Sequence, residues 1–180
     1  MLKDRFNEIT FEFDKKKILV IGDLMLDTYL WGHSERISPE APVPIIQVNK
    51  VEHNLGGAAN VALNLSSLGC EVYLIGIIGS DPEGEILKNL LDQSNIDFTP
   101  LVEFDSRPTT VKSRIISHDQ QVIRTDRELT HDLSDESNKE LQGLVSSIIN
   151  DVDGIILEDY NKGVLNAGSI SKIINLVKDT

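Results

Sequence analysis

The sequence predicts an α/β protein: a doubly wound, mostly parallel sheet carrying a small β lid. Three observations predict it. Continuous apolar runs at Ile18–Gly22, Val72–Gly79 and Asp153–Leu157 read as strands buried on both faces, as parallel strands are. Amphipathic stretches with helical spacing separate them, and that alternation is the mark of a parallel sheet covered by helices. Two segments, 28–55 and 108–125, break the alternation and read as hairpins.

In order, residues 2–9 read as a short helix. The first strand ends in Gly22-Asp23-Leu24-Met25-Leu26-Asp27, which puts two carboxylates where open α/β sheets bind ligands. Asp23 there serves either a turn or cap, or a ligand. Residues 28–32 form a strand, 34–44 a proline-punctuated loop, and 45–51 a second strand. The pair makes a flap over the site whose exposed apolar positions, Trp31 among them, offer a dimer surface. The alternative is an edge hairpin that only packs on the domain.

Gly56-Gly57-Ala58-Ala59-Asn60-Val61-Ala62 opens a helix, with Ala58, Val61, Ala62, Leu65 and Leu68 on one face and Gly69 as its stop. Glycine at a helix start permits positive φ and lets a ligand approach main-chain N–H groups. Asn60 is placed to aim its amide at the same ligand. A tight turn ahead of a closely packed helix explains the glycines equally well. After the second strand, Asp81-Pro82 starts a helix with the stripe Ile86, Leu87, Leu90 and Leu91, and Phe98–Val102 forms a short strand.

Residues 107–124 carry four basic residues (Arg107, Lys112, Arg114, Arg124) against one acidic residue, Asp119, in an otherwise acidic chain. Either this hairpin meets an anion, or its charges protect a sheet edge. His118 sits at the turn. Ser134 caps a helix reaching about Ile149. The next strand runs into Glu158-Asp159-Tyr160-Asn161-Lys162-Gly163, where paired carboxylates bind sugar hydroxyls or hydrated Mg²⁺, or pair with Lys162. Residues 167–178 form another helix.

The net charge of −12 argues against nucleic acid and anionic membrane as partners, though not against a small phosphorylated ligand. A single cysteine, Cys70, excludes an internal disulfide framework. No apolar run is long enough to span a bilayer, and the N-terminus lacks a signal peptide's apolar core, so the cytoplasm is expected. There is no Walker P-loop, no Gly-x-Gly-x-x-Gly and no zinc-spaced cluster.

The unbroken pattern from Gly56 through Asn60 and Gly69 to Gly79 resembles the first signature of the ribokinase-like, phosphofructokinase-B type carbohydrate kinases. Within them, Val20–Asp27, Arg36–Pro44, Gly56–Ala62 and Asp159–Gly163 resemble the bacterial kinases of D-glycero-β-D-manno-heptose 7-phosphate. Those kinases also occur as the N-terminal half of a bifunctional heptose kinase/adenylyltransferase. The resemblance implies γ-phosphate transfer from ATP to the sugar's anomeric hydroxyl, for ADP-heptose and lipopolysaccharide synthesis. It implies that Asp27, Gly57 and Asn60 hold sugar hydroxyls, with Gly56 beside them in the substrate-binding set, and that the lid doubles as a homodimer contact. With the basic hairpin, it points to Lys112 and Arg114 for the sugar's own phosphate, and Glu158 and Asp159 complete the substrate-binding set.

ATP and Mg²⁺ are the implied cofactors. The family's Gly-Ala-Gly-Asp stretch, with its catalytic aspartate, does not occur in residues 1–180. The expectation is therefore one substrate-binding portion of a kinase domain over 1–180, with no catalytic residue in it and the C-terminal part of the fold missing. The alternatives are a ribokinase-like kinase of another sugar and a non-catalytic sugar-phosphate binding module.

Overall fold

The computed structural model describes residue 10 and residues 12–99, 101–104 and 107–178. The helix expected at 2–9 lies outside them. A three-stranded parallel sheet holds β1 (Lys17–Gly22) between β4 (Glu71–Ile75) and β9 (Gly154–Glu158). Alternate side chains of these strands point to opposite faces. Val20, Val72 and Leu74 pack against α1 (Ala58–Ser67) and α2 (Pro82–Gln93) in one core. Leu19, Ile21 and Ile75 pack against α3 (Asp135–Ile148) and α4 (Ala167–Lys178) in the other. Helices on both faces make the sheet doubly wound, as the strands' unbroken apolar composition requires.

The apolar run 72–79 is two strands, not one. It breaks at Gly76 into β4 and β5 (Ile77–Gly79), which lie in different sheets. A Cβ at Gly76 would stand 2.5 Å from Leu24 Cγ and 2.8 Å from the Gly22 carbonyl. β5 pairs in parallel with β6, which spans Val102–Phe104 rather than 98–102. Asp97 instead makes an isolated bridge to Tyr73.

The lid is a four-stranded sheet in the order β3-β2-β7-β8. β2 (Leu24–Ile37) and β3 (Pro44–Gly57) form a hairpin longer than the expected flap, beginning at the core sheet and ending at α1. β7 (Val111–Ser117) and β8 (Gln120–Arg127) form the second hairpin. Its two turn residues, His118 and Asp119, both have positive φ (50° and 61°), which fits the tight turn that matches strand twist. β2 pairs β7 in parallel with Asp27 opposite Lys112 and Tyr29 opposite Arg114.

Trp31 is half-buried: it stacks on Tyr29 and donates its ring N–H to Glu52. The exposed apolar positions of the lid are Val48, Val51, Val122 and Ile123, with Ile37 and Val43 near its tip. No helix among the described residues is long and apolar enough to cross a membrane.

Candidate functional site

The site forms where β2 leaves the core sheet. β1 ends at Gly22, and Asp23, only 1% exposed, makes the turn. Its carboxylate accepts from the N–H groups of Tyr160 (2.8 Å), Lys162 (3.0 Å) and Val164 (3.3 Å). Its carbonyl accepts from the N–H of Ala58 at 2.9 Å, the first donor of α1. Asp23 therefore has the turn-and-cap role of the two that the sequence left open. One buried residue orients both the start of α1 and the loop after β9.

Asp27 follows on β2, half-buried. Its Oδ1 accepts from the Arg114 guanidinium at 2.6 Å, and Arg114 also stands over the Tyr29 ring at 5.1 Å. A Cβ at Gly56 would lie 2.8 Å from Asp27 Oδ2, so the absent side chain leaves room for that carboxylate. Gly57 has φ +56°, and a Cβ there would lie 2.3 Å from the Asp23 carbonyl. The glycine pair thus answers two demands, space at Gly56 and backbone conformation at Gly57. Asn60 is exposed in the first turn of α1, and its side chain makes no hydrogen bond to the described residues. Asp27, Tyr29, His53, Asn54 and Asn60 line one cavity of about 550 Å³.

The remaining expected residues surround this centre. Lys112 is held by Asp126 at 3.0 Å and Glu128 at 3.3 Å. Arg114 is paired with Asp27, so both lid cations have carboxylate partners. Glu158 is the last residue of β9 and stands close enough to the Tyr160 phenol to affect it electrostatically. Burial and the Glu158 carboxylate push the Tyr160 phenol up, and Asp27 adds to the shift. Asp159 turns back to accept from the Asn161 N–H at 2.7 Å. Lys162 is paired with Glu128 at 3.1 Å rather than with a carboxylate of its own loop.

Arg107 does not belong to the basic hairpin. It is buried and donates to the carbonyls of Leu129 (3.0 Å), His131 (3.3 Å) and Lys162. Burial pushes its guanidinium down and Asp23 opposes that shift. This is a structural cation with backbone partners. Sequence reasoning did not pick out Glu128, and it read Asp81 only as a helix start. Asp81 caps α2 through the Gly84 N–H at 2.9 Å, and accepts from the Thr109 hydroxyl (2.6 Å) and Arg127 (3.1 Å). It ties the lid's second hairpin to the core.

Among the described residues no three His, Cys, Asp or Glu side chains converge as a metal site. Asp159 gives one carboxylate oxygen to the Asn161 N–H, and neither it nor Glu158 belongs to such a cluster. What the cavity fits is a polyhydroxylated ligand: the Asp27 carboxylate and the side-chain amides of Asn54, Asn60 and Gln93 line it together. A second depression, about 590 Å³, lies along β9 and α4, lined mainly by apolar side chains, Ile149, Leu157, Ile173 and Val177 among them, and shares no lining residue with the first.

A family model described as pfkB family carbohydrate kinase matches residues 15–167. A Helicobacter pylori (strain Shi470) protein named Bifunctional protein HldE is 49% identical over 161 residues, covering 89% of this chain and 35% of its own length. A protein of the same name from Aliarcobacter butzleri is 46% identical over 162 residues, covering 90% of this chain and 34% of its own. The chain thus spans about a third of the length of the curated relatives it matches. Among solved structures, a carbohydrate kinase from Agrobacterium tumefaciens superposes with a TM-score of 0.69 at 24% identity. Arabidopsis thaliana ribokinase complexed with ribose and ATP gives 0.62 at 18%. Each match covers 91% of this chain and 50% of the other, and these likenesses concern the fold alone.

Proposed function

The chain belongs to the pfkB family of carbohydrate kinases, and from that premise we propose that it is the substrate-binding part of a heptose 7-phosphate kinase. The substrate is D-glycero-β-D-manno-heptose 7-phosphate, and the reaction is transfer of the ATP γ-phosphate to its anomeric hydroxyl. The observation that carries this reading is the seating of Asp27 in the space left by Gly56, facing the same cavity as Asn60. A carboxylate and an amide so placed accept and donate hydrogen bonds to neighbouring sugar hydroxyls. Identity near one half to relatives named HldE supports the choice of sugar.

Chemically, this part binds and orients. Asp27 accepts from one or more sugar hydroxyls, with Arg114 holding its carboxylate in place. Gly57 and Asn60 approach the ring from the start of α1, and Lys112 and Arg114 attract the sugar's phosphate from the lid. Glu158 and Asp159 border the site from the β9 side. Phosphoryl transfer needs a γ-phosphate held in line and an acceptor hydroxyl that is oriented or deprotonated. ATP with Mg²⁺ supplies the phosphoryl group in that reaction. Residues 1–180 alone are expected to give no turnover. We also assign the lid as a homodimer contact, supported by the exposed Val51 and Ile123 on one lid face.

The test is titration of the purified chain with heptose 7-phosphate and with the unphosphorylated heptose, alongside an assay with Mg-ATP. Preference for the phosphorylated sugar, reduced by the double substitution Lys112→Ala, Arg114→Ala, supports the reading. Equal binding of both sugars would assign it to another substrate.

A further inference from the structure

Lys112 and Lys162 project toward one another from two firmly held elements. Lys112 lies on β7 within the lid sheet. Lys162 lies in the loop after β9, where its N–H is bound by Asp23 and its carbonyl by Arg107. Glu128 stands between them: Oε2 is 3.3 Å from Lys112 Nζ and Oε1 is 3.1 Å from Lys162 Nζ. All three side chains are about one-fifth exposed or less (16%, 21% and 15%). Glu128 follows the end of β8 and begins the irregular segment 128–134.

Two separate cations, each bound to a different oxygen of one carboxylate, form the arrangement that receives a phosphate, whose oxygens likewise spread over several donors. Asp126 does not compete for this role, because Arg124 also binds it at 2.9 Å. We propose that Glu128 is a resident stand-in for the substrate's phosphate. In the free protein it fills the anion seat between Lys112 and Lys162, and the phosphate of an incoming sugar displaces it. Lys162 thereby becomes a phosphate-binding residue. Glu128 becomes a specificity-determining one, because an uncharged sugar gains nothing by displacing it. This rests on the sugar-phosphate reading above and deepens it.

A plain strut between lid and core is the competing role for Glu128, and the two roles predict opposite signs. A strut, once removed, loosens the seat and weakens anion binding. A stand-in, once removed, leaves Lys162 without its carboxylate and Lys112 with Asp126 alone, and strengthens it. Titration calorimetry of the chain with inorganic phosphate reads this directly. Glu128→Gln is expected to bind phosphate about tenfold more tightly than the unaltered chain, since charged hydrogen bonds are exchanged one for one. Glu128→Asp, whose shorter carboxylate reaches one lysine at a time, is expected to fall between. Lys162→Gln in the Glu128→Gln background is expected to abolish the gain.

Unchanged or weaker phosphate binding by Glu128→Gln overturns the proposal. So does its unfolding, seen by circular dichroism, because a stand-in can be lost without loss of the fold. A parallel titration with heptose 7-phosphate separates the two levels. Binding of that sugar with no gain for Glu128→Gln would refute the stand-in and spare the proposed function. A gain with inorganic phosphate but no binding of the sugar phosphate would do the reverse.

Discussion

Asp23 and Arg107 hold the backbone of one residue from its two sides: the N–H of Lys162 donates to the Asp23 carboxylate, and its carbonyl accepts from the Arg107 guanidinium. Both residues are buried, and each also binds elsewhere, Asp23 to Tyr160 and Val164, Arg107 to Leu129 and His131. The loop that carries Glu158 to Lys162 owes its placement to this pair. Removing one partner of such an arrangement leaves the other's charge and several buried N–H groups unsatisfied. Asp23→Ala is therefore expected to destabilise the chain by about 3–5 kcal/mol in urea denaturation. A loss below about 1 kcal/mol would show that the loop has other supports.

The two glycines at the start of α1 are expected to separate in their effects. Gly57→Ala places a side chain at φ +56° and against the Asp23 carbonyl, which is backbone and cannot swing aside. It should cost about 1–3 kcal/mol of stability or more. At Gly56 the obstacle is the Asp27 carboxylate, the end of a side chain. Gly56→Ala should leave the melting temperature nearly unchanged and weaken sugar binding by displacing Asp27. Thermal melts and titration of both variants check this, and equal destabilisation would contradict it.

Asp81 predicts a pH dependence. Burial pushes its carboxyl up, but the Thr109 hydroxyl, the N–H groups of Gly84 and Thr109, and Arg127 outweigh it, so the folded group titrates below an ordinary aspartate. The ionised form is the one the fold favours. Its contribution is complete above the unfolded value of about 4 and is lost as pH falls through the folded value. Asp81→Asn keeps a capping oxygen but loses the charge facing Arg127, and should lower stability at pH 7 by up to about 1 kcal/mol, with the difference from the unaltered chain shrinking below pH 4. A constant difference from pH 7 to pH 3 would contradict this.

Much of the fold was legible in the residues themselves. Unbroken apolar runs marked the core strands, and Ser134 and Asp81 marked helix starts that their caps bear out. The break at Gly76 was not legible, because its cause is the packing of Leu24, more than fifty residues earlier in the chain. Arg107 was misread for a related reason: its partners are backbone carbonyls, which leave no trace in residue identity. At the site, local pattern placed the glycine pair at a helix start, whereas Asp27 was picked out only through the family resemblance. The pairings of Arg114 with Asp27, 87 residues apart, and of Glu128 with Lys162, 34 apart, arise only when the lid folds over the sheet.

The account stands most directly on Asp27. Titration calorimetry with heptose 7-phosphate, comparing the unaltered chain with Asp27→Ala and Asn60→Ala, measures whether that carboxylate holds the sugar. Losing a charged hydrogen bond to a hydroxyl should weaken binding by about 1.5–3 kcal/mol for Asp27→Ala, and losing a neutral one by about 0.5–1.5 kcal/mol for Asn60→Ala. Both folds should be retained. Binding unchanged by either substitution, with the chain folded and heptose 7-phosphate still bound, would place the sugar elsewhere and contradict the account.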